Sequence, residues 1–325
     1  MASRQESTPL FDRLALIGVG LIGGSIARAA RALGLARTIV ATSRSQPTRQ
    51  RIAALGLADQ VVDSAAEAAT DADLVIVCVP IGACGPVARE IGPHLKPGAI
   101  VSDVGSVKGD VIRAMGPHIP PGVHFIPGHP VAGTENSGPD AGFAELFVNR
   151  WCILTPPEDA DRSAIERLSR FWEAFGANVE IMSAAHHDLV LAVTSHVPHL
   201  IAYTIVGTAF DLRLVTESEI LKYSASGFRD FTRIAASDPT MWRDIFLHNK
   251  DAVLEVLGRF NEDLATLARA VRRGDADTLY NLFAERRAIR RGMIHFDSGK
   301  PAPDFQSAES KPRHDPLPRP YAGDD

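Results

Sequence analysis

The chain has 325 residues, of which 45% are hydrophobic and 22% are charged, a composition typical of a globular protein with about two domains. Its formal net charge of −5 gives no reason to expect nucleic acid or an anionic membrane surface as a partner. Cys78, Cys84 and Cys152 form neither a CxxC pair nor a cluster with histidines, so we expect no disulfide and a reducing, cytoplasmic location.

The start of the sequence lacks the apolar core of a signal peptide, and we expect residues 1–12 to be flexible. The longest apolar run, Leu74–Ala88, is interrupted by prolines and glycines. We therefore expect no membrane-spanning segment.

An apolar strand pattern, Leu14–Ile17, runs directly into a glycine-rich turn and then into a helical pattern. Gly18 would let the chain turn sharply, Gly20 would leave room for a pyrophosphate, and Gly23 would let the helix pack closely. This setting makes the GxGxxG motif a strong indication of a dinucleotide site, and a tight turn without a ligand is the alternative. The residues expected to contact the cofactor here are Gly18, Gly20, Leu21, Ile22 and Gly23.

The β-branched run Thr38–Thr42 predicts a second strand, whose end meets the adenosine ribose in a dinucleotide fold. An acidic residue there would accept a hydrogen bond from the ribose 2′-hydroxyl and favour NAD. This chain has Ser43 and Arg44 instead, and a hydroxyl with a guanidinium suits the 2′-phosphate of NADP. If Arg44 only stacks on the adenine or is solvated, the cofactor is NAD.

Strand and helix patterns then alternate, and the near-continuous apolar run Asp73–Pro80 is typical of a parallel strand covered on both faces. We predict an α/β domain over residues 13–183 with a Rossmann-type, doubly wound parallel sheet. Val79 and Pro80 are expected to face the cofactor. The further predicted elements are helices at Gln50–Leu57, Ser64–Thr70, Val87–His94 and Ser163–Phe175 and strands at Val61–Val62, Ile100–Val104 and Val179–Met182.

From Ala184 the strand patterns stop, which predicts an all-helical second domain over residues 184–296. Its first helix, Ala184–Ala209, contains Pro198 and is expected to bend there. The other predicted helices are Thr216–Tyr223, Pro239–Arg272 and Asp275–Ile294. Residues 297–325 are rich in proline and poor in apolar residues, which predicts a disordered tail.

Two clusters of polar residues lie in the first domain. Ser106 follows a strand, and strand ends in such sheets face the ligand crevice. His129 lies in a loop bounded by glycine and proline, where an imidazole can accept a proton near neutral pH. Lys108 could be a solvated lysine at a helix start, and Glu135 could interact with a helix N-terminus.

Two more clusters lie in the helical domain. His196 and His199 are three residues apart, so one could line a site while the other makes a buried polar contact. Arg233 could bind a carboxylate or could form a surface ion pair with Asp230. A single histidine is more often structural than catalytic, so only the combination of clusters carries weight. Without a metal-ligand cluster, it suggests metal-free hydride transfer from an anionic substrate.

Five motifs from residue 11 to about residue 295 resemble, in order and spacing, those of the prephenate/arogenate dehydrogenase family of tyrosine biosynthesis. They are GVGLIGGS, DVGSVK, GHPVAGTE, SHVPH and GFRDFTRIAASDPTMWRDI. The resemblance implies oxidative decarboxylation of prephenate to 4-hydroxyphenylpyruvate or of arogenate to tyrosine. It also implies a homodimer built through the helical domains, so that the second domain is a dimerisation domain.

The resemblance also assigns roles to residues. It makes His129 the base that takes the proton of the ring hydroxyl and Ser106 a catalytic contact of that hydroxyl. Ser43 departs from the acidic residue of many NAD-using relatives, which leaves NADP or NAD open. The residues that it assigns to substrate binding are His199, His196, Arg233, Glu135, Asp230 and Trp242.

Two other functions fit part of the sequence. A 3-hydroxyacid dehydrogenase shares the two-domain plan but would place a catalytic lysine on the helical domain, where Lys222 and Lys250 match no such motif. A dinucleotide-sensing protein without activity would have no use for His129, His199 and Arg233 together.

Overall fold

The structure is a computed structural model, and it describes residues 8–134, 136–211 and 225–297. The predicted helix Thr216–Tyr223, residues 1–7 of the predicted flexible start and residues 298–325 of the predicted tail lie outside these ranges. The first strand begins at Phe11, earlier than the predicted Leu14, and the Phe11 side chain is fully buried. Residues 11 and 12 therefore belong to the sheet.

The large sheet of the first domain has six parallel strands in the order β3-β2-β1-β4-β5-β6. The order reverses between β1 and β4, so the sheet is doubly wound and has its switch point beside the glycine-rich turn. This confirms the predicted fold class. The strands are β1 (Phe11–Ile17), β2 (Ala36–Thr42), β3 (Gln60–Val61), β4 (Leu74–Val77), β5 (Ile100–Asp103) and β6 (His124–Phe125).

Helices cover both faces of this sheet and bury β4 and β5 completely. The second helix begins at Gln46, earlier than predicted, because Ser45 accepts a hydrogen bond from the Thr48 N–H and Pro47 fits the first turn. The helices are α1 (Leu21–Leu33), α2 (Gln46–Ala54), α3 (Ala65–Ala69), α4 (Cys84–Ile91), α5 (Gly109–Met115) and α6 (Arg162–Ala174).

A second, three-stranded sheet lies beside the large one, in the order β7-β8-β9. Its strands are β7 (Gly128–Pro130), β8 (Trp151–Leu154) and β9 (Asn178–Ile181), and β7 pairs with β8 antiparallel. The predicted strand Val179–Met182 belongs here and does not extend the parallel sheet. His129, predicted in a loop, lies in the middle of β7, because pairing with Ile153 of β8 makes an extended strand out of a sequence that reads locally as a turn.

The helical part of the chain starts with α7 (Ala184–Leu191), continues through one wider turn with i→i+5 hydrogen bonds at Ala192–His196, and goes on as α8 (Val197–Asp211). Pro198 has no N–H, so the carbonyl one turn earlier lacks its usual donor, and the regular helix is interrupted there. The predicted helix Pro239–Arg272 consists of two helices that meet at Asn249. The later helices are α9 (Ser226–Thr232), α10 (Pro239–His248), α11 (Lys250–Arg273) and α12 (Ala276–Asp297).

Within the described ranges, the continuous stretch Ala184–Asp211 is long and apolar enough to cross a membrane, and an 18-residue window inside it has a mean hydropathy of 1.6. Core helices of globular proteins pass the same test, so this composition alone is weak evidence for a span. The stretch also contains polar side chains that form hydrogen bonds with the first domain, which are described below.

Two compact units divide the chain at Gly258, within α11. The first unit contains both sheets and the helices from α1 to α10. The second contains α11 from Arg259 onward and the whole of α12. All residues of the candidate site described below belong to the first unit.

Gly18 and Gly20 make a matched pair for testing the glycine-rich turn. Gly18 has a φ of +85°, and an added Cβ would lie 2.7 Å from Val79 Cγ1 and 2.9 Å from the Cys78 carbonyl oxygen. An added Cβ on Gly20 meets nothing within 4 Å. We expect Gly18→Ala to cost about 1–3 kcal/mol of unfolding free energy, because both the backbone and its neighbours must shift. We expect Gly20→Ala to change it by less than about 1 kcal/mol.

Chemical denaturation followed by tryptophan fluorescence measures both changes. Equal stability of the two variants would contradict the argument that Gly18 is required by the backbone.

Candidate active site

The amino end of α1 is open and free of acidic side chains. Gly20 caps the helix without a side-chain hydrogen bond, and the first turn contains no acidic residue. Gly23 lies so close to the turn that an added Cβ would be 2.8 Å from the Gly18 carbonyl oxygen. The unpaired N–H groups and the empty space above Gly20 fit a pyrophosphate at this helix end. Leu21 and Ile22, the first helical residues, are half-buried there.

At the carboxyl end of β2, Arg44 and Arg49 differ in whether the described residues pair their charge. Arg49 Nη1 donates to the carbonyl oxygens of Ser43 at 2.8 Å and Arg44 at 3.2 Å, and its Nε pairs with Asp63 at 3.0 Å. Arg49 therefore holds the shape of the turn, and its charge is already balanced. The Arg44 side chain is exposed and has no hydrogen bond or ion pair within the described part of the chain. Val79 and Pro80 follow β4 on the other side of Gly18.

A fully buried lysine connects the two sheets. Lys108 Nζ forms an ion pair with Asp103 at the end of β5 and donates to the Gly128 carbonyl oxygen of β7 at 2.6 Å. Asp103 also accepts hydrogen bonds from the N–H groups of Gly105 at 2.7 Å and Gly128 at 3.2 Å. The alternative of a solvated Lys108 is therefore wrong, because both side chains of the ion pair are 0% exposed. Ser106 lies half-buried in the turn that this pair fixes.

His129 is the first member of a chain of hydrogen bonds that crosses from the first domain to α7. Its Nδ1 lies 2.8 Å from His187 Nε2, and His187 Nδ1 lies 2.8 Å from Asp188 Oδ1. Asp188 also accepts from the N–H groups of Lys108 at 2.7 Å and Gly109 at 2.8 Å. Sequence analysis did not identify His187 or Asp188 as part of the site.

The chemistry of these partners fixes the tautomers. Asp188 as a carboxylate can only accept, so His187 donates from Nδ1 and its Nε2 accepts from His129 Nδ1–H. The lone pair of His129 then lies on Nε2, the atom that is left for a ligand. This is the arrangement that a general base requires.

The charges around His129 favour its neutral form. Burial, followed by the proximity of His187, Lys108 and His196, lowers the pKa of His129 well below its usual value. Burial also lowers the pKa of His187, although the hydrogen bond to Asp188 opposes that shift. For Asp188, burial opposes ionisation, but the hydrogen bonds from His187, Lys108 and Gly109 together lower its pKa. Both imidazoles are therefore neutral at pH 7 and Asp188 is charged.

His196 is held as a hydrogen-bond donor. Asn249 Nδ2 donates to the Asp188 carbonyl oxygen at 2.8 Å, and its second hydrogen is directed to His196 Nδ1 at 3.0 Å. The His196 proton therefore lies on Nε2, which is buried and has no partner within the described residues. Burial lowers the pKa of His196 to about 4, so the ring is neutral. It can offer one N–H to a bound ligand.

His199 and Trp242 form a stacked pair, with ring centroids 3.6 Å apart and planes inclined by 22°. His199 Nδ1 donates to the Ser195 carbonyl oxygen at 2.8 Å, so its Nε2 faces away from the helix backbone. Burial lowers the pKa of His199, and the charge of Arg233 contributes to this shift. Trp242 also contacts His196, with centroids 6.1 Å apart, which joins this pair to the first group.

The structure thus brings together His129, His196, His199 and Trp242, with Arg233 near His199. Asp230 is exposed on α9 and forms no hydrogen bond or ion pair within the described residues, so the alternative of an ion pair with Arg233 is not observed. Glu135 lies outside the described residues. Among the residues that the structure covers, no group of three histidine, cysteine or acidic side chains could hold a metal ion.

Sequence reasoning missed Lys108, His187, Asp188 and Asn249 as parts of this site. The signal for His187 and Asp188 was a His-His-Asp run directly after the Ser183 cap of a helix, a place where polar residues are ordinary. The signal for Asn249 was a polar residue at the junction of α10 and α11.

Comparisons with known proteins match almost the whole described chain. Residues 26–181 match the family model described as prephenate dehydrogenase, nucleotide-binding domain, and residues 183–285 match prephenate dehydrogenase, dimerization domain. The cyclohexadienyl dehydrogenase of Zymomonas mobilis is 44% identical over 86% of this chain and 96% of its own length.

Two solved structures share the fold. Prephenate dehydrogenase from Aquifex aeolicus, crystallised with hydroxyphenyl propionate and NAD+, is 32% identical with a TM-score of 0.80, over 89% of this chain and 100% of that one. Synechocystis arogenate dehydrogenase is 28% identical with a TM-score of 0.75, over 86% of this chain and 99% of that one.

The buried ion pair can be tested by removing one or both charges. We expect Lys108→Met to lower the free energy of unfolding by about 3–5 kcal/mol, because Asp103 is left as a buried, unpaired carboxylate. The double variant Lys108→Met/Asp103→Asn carries no charge at this buried position, and its free energy of unfolding should fall clearly less. Chemical denaturation measures both. An equal loss in the two variants would mean that packing, and not the unpaired charge, causes the destabilisation.

Proposed function

The chain belongs to the prephenate dehydrogenase family, and on that premise we propose that it is an NAD(P)-dependent enzyme that oxidatively decarboxylates prephenate to 4-hydroxyphenylpyruvate, arogenate to tyrosine, or both. The observation that carries the proposal is the neutral His129, whose free Nε2 is fixed by hydrogen bonds from the other side of the ring. The reaction belongs to tyrosine biosynthesis.

The cofactor is held at the glycine-rich turn. The open amino end of α1 and the empty space at Gly20 suit the pyrophosphate, while Val79 and Pro80 line the same crevice. When bound, the nicotinamide ring supplies the acceptor for the hydride. NADP is favoured over NAD, because the free guanidinium of Arg44 and the hydroxyl of Ser43 suit a 2′-phosphate.

His129 performs the proton transfer. Its Nε2 takes the proton of the ring hydroxyl as the hydride leaves the carbon that bears it, and Ser106 donates or accepts a hydrogen bond at the same hydroxyl. Loss of CO2 then makes the ring aromatic, which makes the step strongly favourable. The protein's task is therefore to orient the substrate and to keep His129 neutral.

The helical domain binds the rest of the substrate. Arg233 supplies a guanidinium for a carboxylate, and His196 Nε2–H is an unused buried donor that can reach a second polar group. His199 and Trp242 form one wall of the pocket through their stacked rings. Glu135 and Asp230 are carried over from the family motifs as residues that shape the site.

The family match does not favour the other candidates, a 3-hydroxyacid dehydrogenase or a dinucleotide-sensing protein. The chain is proposed to act in the cytoplasm as a homodimer, with no nucleic acid or membrane as a partner. Large apolar side chains on α11 and α12 support the dimer, since Val271 is 67% and Tyr280 is 73% exposed in the single chain. The proposed domain boundary stays at residues 183–184.

We expect His129→Asn to lower kcat at least about 100-fold, because asparagine can replace Nδ1 towards His187 but offers no base at the Nε2 position. The cofactor dissociation constant should not change. Absorbance at 340 nm with prephenate and with arogenate measures turnover, and His94→Asn, at an exposed histidine, is the control. Near-normal turnover of His129→Asn would rule out this residue as the base.

The cofactor preference can be tested at the end of β2. We expect Arg44→Ala to lower kcat/KM for NADP about 10-fold with little change for NAD, because only NADP offers a phosphate to the lost guanidinium. Arg37→Ala removes an exposed arginine at the other end of the same strand and should affect neither cofactor. An unchanged kcat/KM for NADP in Arg44→Ala would show that Arg44 is merely solvated.

A further inference from the structure

The chain of hydrogen bonds behind His129 does not end inside the protein. It runs from His129 through His187 to Asp188, whose side chain keeps 13% of its surface exposed while that of His187 is 0% exposed. Asp188 lines a surface depression together with Asp110, His248 and Asn249. The three linked groups thus connect His129 with solvent at this depression.

We propose that His187 and Asp188 form a proton-exit path, which carries the proton released from the substrate to water in this depression. The proposal rests on the function proposed above, since it needs His129 to take a proton in each turnover. His187 would be the group that passes the proton on, and Asp188 would be its outlet.

Each transfer in the path is a hydrogen bond already present. His129 gains the substrate proton on Nε2 and gives its Nδ1 proton to His187 Nε2. His187 then gives its Nδ1 proton to Asp188, which releases it to water while the substrate still covers His129 Nε2. After the product has left, proton exchange with water restores the starting tautomers: Asp188 returns a proton to His187 Nδ1, His187 Nε2 returns its proton to His129 Nδ1, and His129 Nε2 releases its proton to water in the emptied crevice. No imidazolium has to persist, and every atom and charge is accounted for.

The surroundings of His129 give a reason for such a path. Among the described residues, the cation whose charge acts on His129 is Lys108, which is buried and paired with Asp103, and His187 and His196 also act on the ring. Among the described residues no carboxylate contacts the His129 ring, so a persistent imidazolium would be buried beside a positive charge without a counter-ion from that part of the chain. Moving the proton to Asp188 instead neutralises an existing negative charge.

An alternative is that His187 only holds the His129 ring in place. Glutamine separates the two roles, because its Oε1 can accept the hydrogen bond from His129 Nδ1 but its amide cannot pass a proton to Asp188. Alanine at this position leaves a cavity of about the size of an imidazole ring. His186 is adjacent on α7 and exposed, so His186→Gln is the matched control.

Turnover at 340 nm with the better of the two substrates is measured for the wild type, His187→Gln, His187→Ala and His186→Gln, with cofactor affinity and melting temperature as checks on folding. We expect His187→Gln and His187→Ala to lower kcat at least about 10-fold and His186→Gln to leave it unchanged. Added imidazole should restore His187→Ala at least fivefold. 1-Methylimidazole, which can accept a proton but has none to pass on, should not.

Wild-type kcat in His187→Gln would overturn the proposal and leave His187 as an orienting group. Equal rescue by imidazole and 1-methylimidazole, or no rescue by either, would overturn it as well. A wild-type enzyme that reduces neither cofactor with either substrate would overturn the proposed function, and the exit path with it. If the wild type is active and His187→Gln has the same kcat, only the exit path is overturned and the proposed function stands.

Discussion

The geometry of the site depends on one buried positive charge. The Lys108 ammonium joins the end of a parallel strand to the start of the small three-stranded sheet, through Asp103 and the Gly128 carbonyl oxygen. His129 is the next residue after Gly128, so its position is set by that contact. A buried ion pair contributes little net stability as a rule. Here its value is positional, because no apolar side chain could fix both strand ends at once.

Hydrogen bonds then decide what each histidine can do. The carboxylate of Asp188 sets the tautomer of His187, which in turn leaves Nε2 of His129 as the free acceptor. Asn249 donates to Nδ1 of His196, so the proton of that ring lies on Nε2, which is left as a donor for a ligand. One site therefore contains an imidazole that accepts and an imidazole that donates, although burial keeps both neutral.

Much of the fold could be predicted from the sequence because its signals are local. The apolar strand before Gly18 and the helix after it follow from neighbouring residues, and the family motifs singled out His129. The small sheet could not be predicted, because β7 has only three residues and becomes a strand only by pairing with β8. The burial of Lys108 likewise depends on a partner 20 residues away in the chain. The chain around it, Ser106-Val107-Lys108-Gly109-Asp110, has no continuous apolar run that would mark the lysine as buried.

Asp188 also links the two halves of the protein, which limits how far one half can change in sequence without the other. It accepts from the N–H groups of Lys108 and Gly109, at the start of α5, so a residue of the helical half caps a helix of the nucleotide-binding half. Hinge opening between the halves would uncap α5 and separate His129 from His187. Chimeras that combine halves from different relatives should therefore work only when the two sides of this junction are exchanged together.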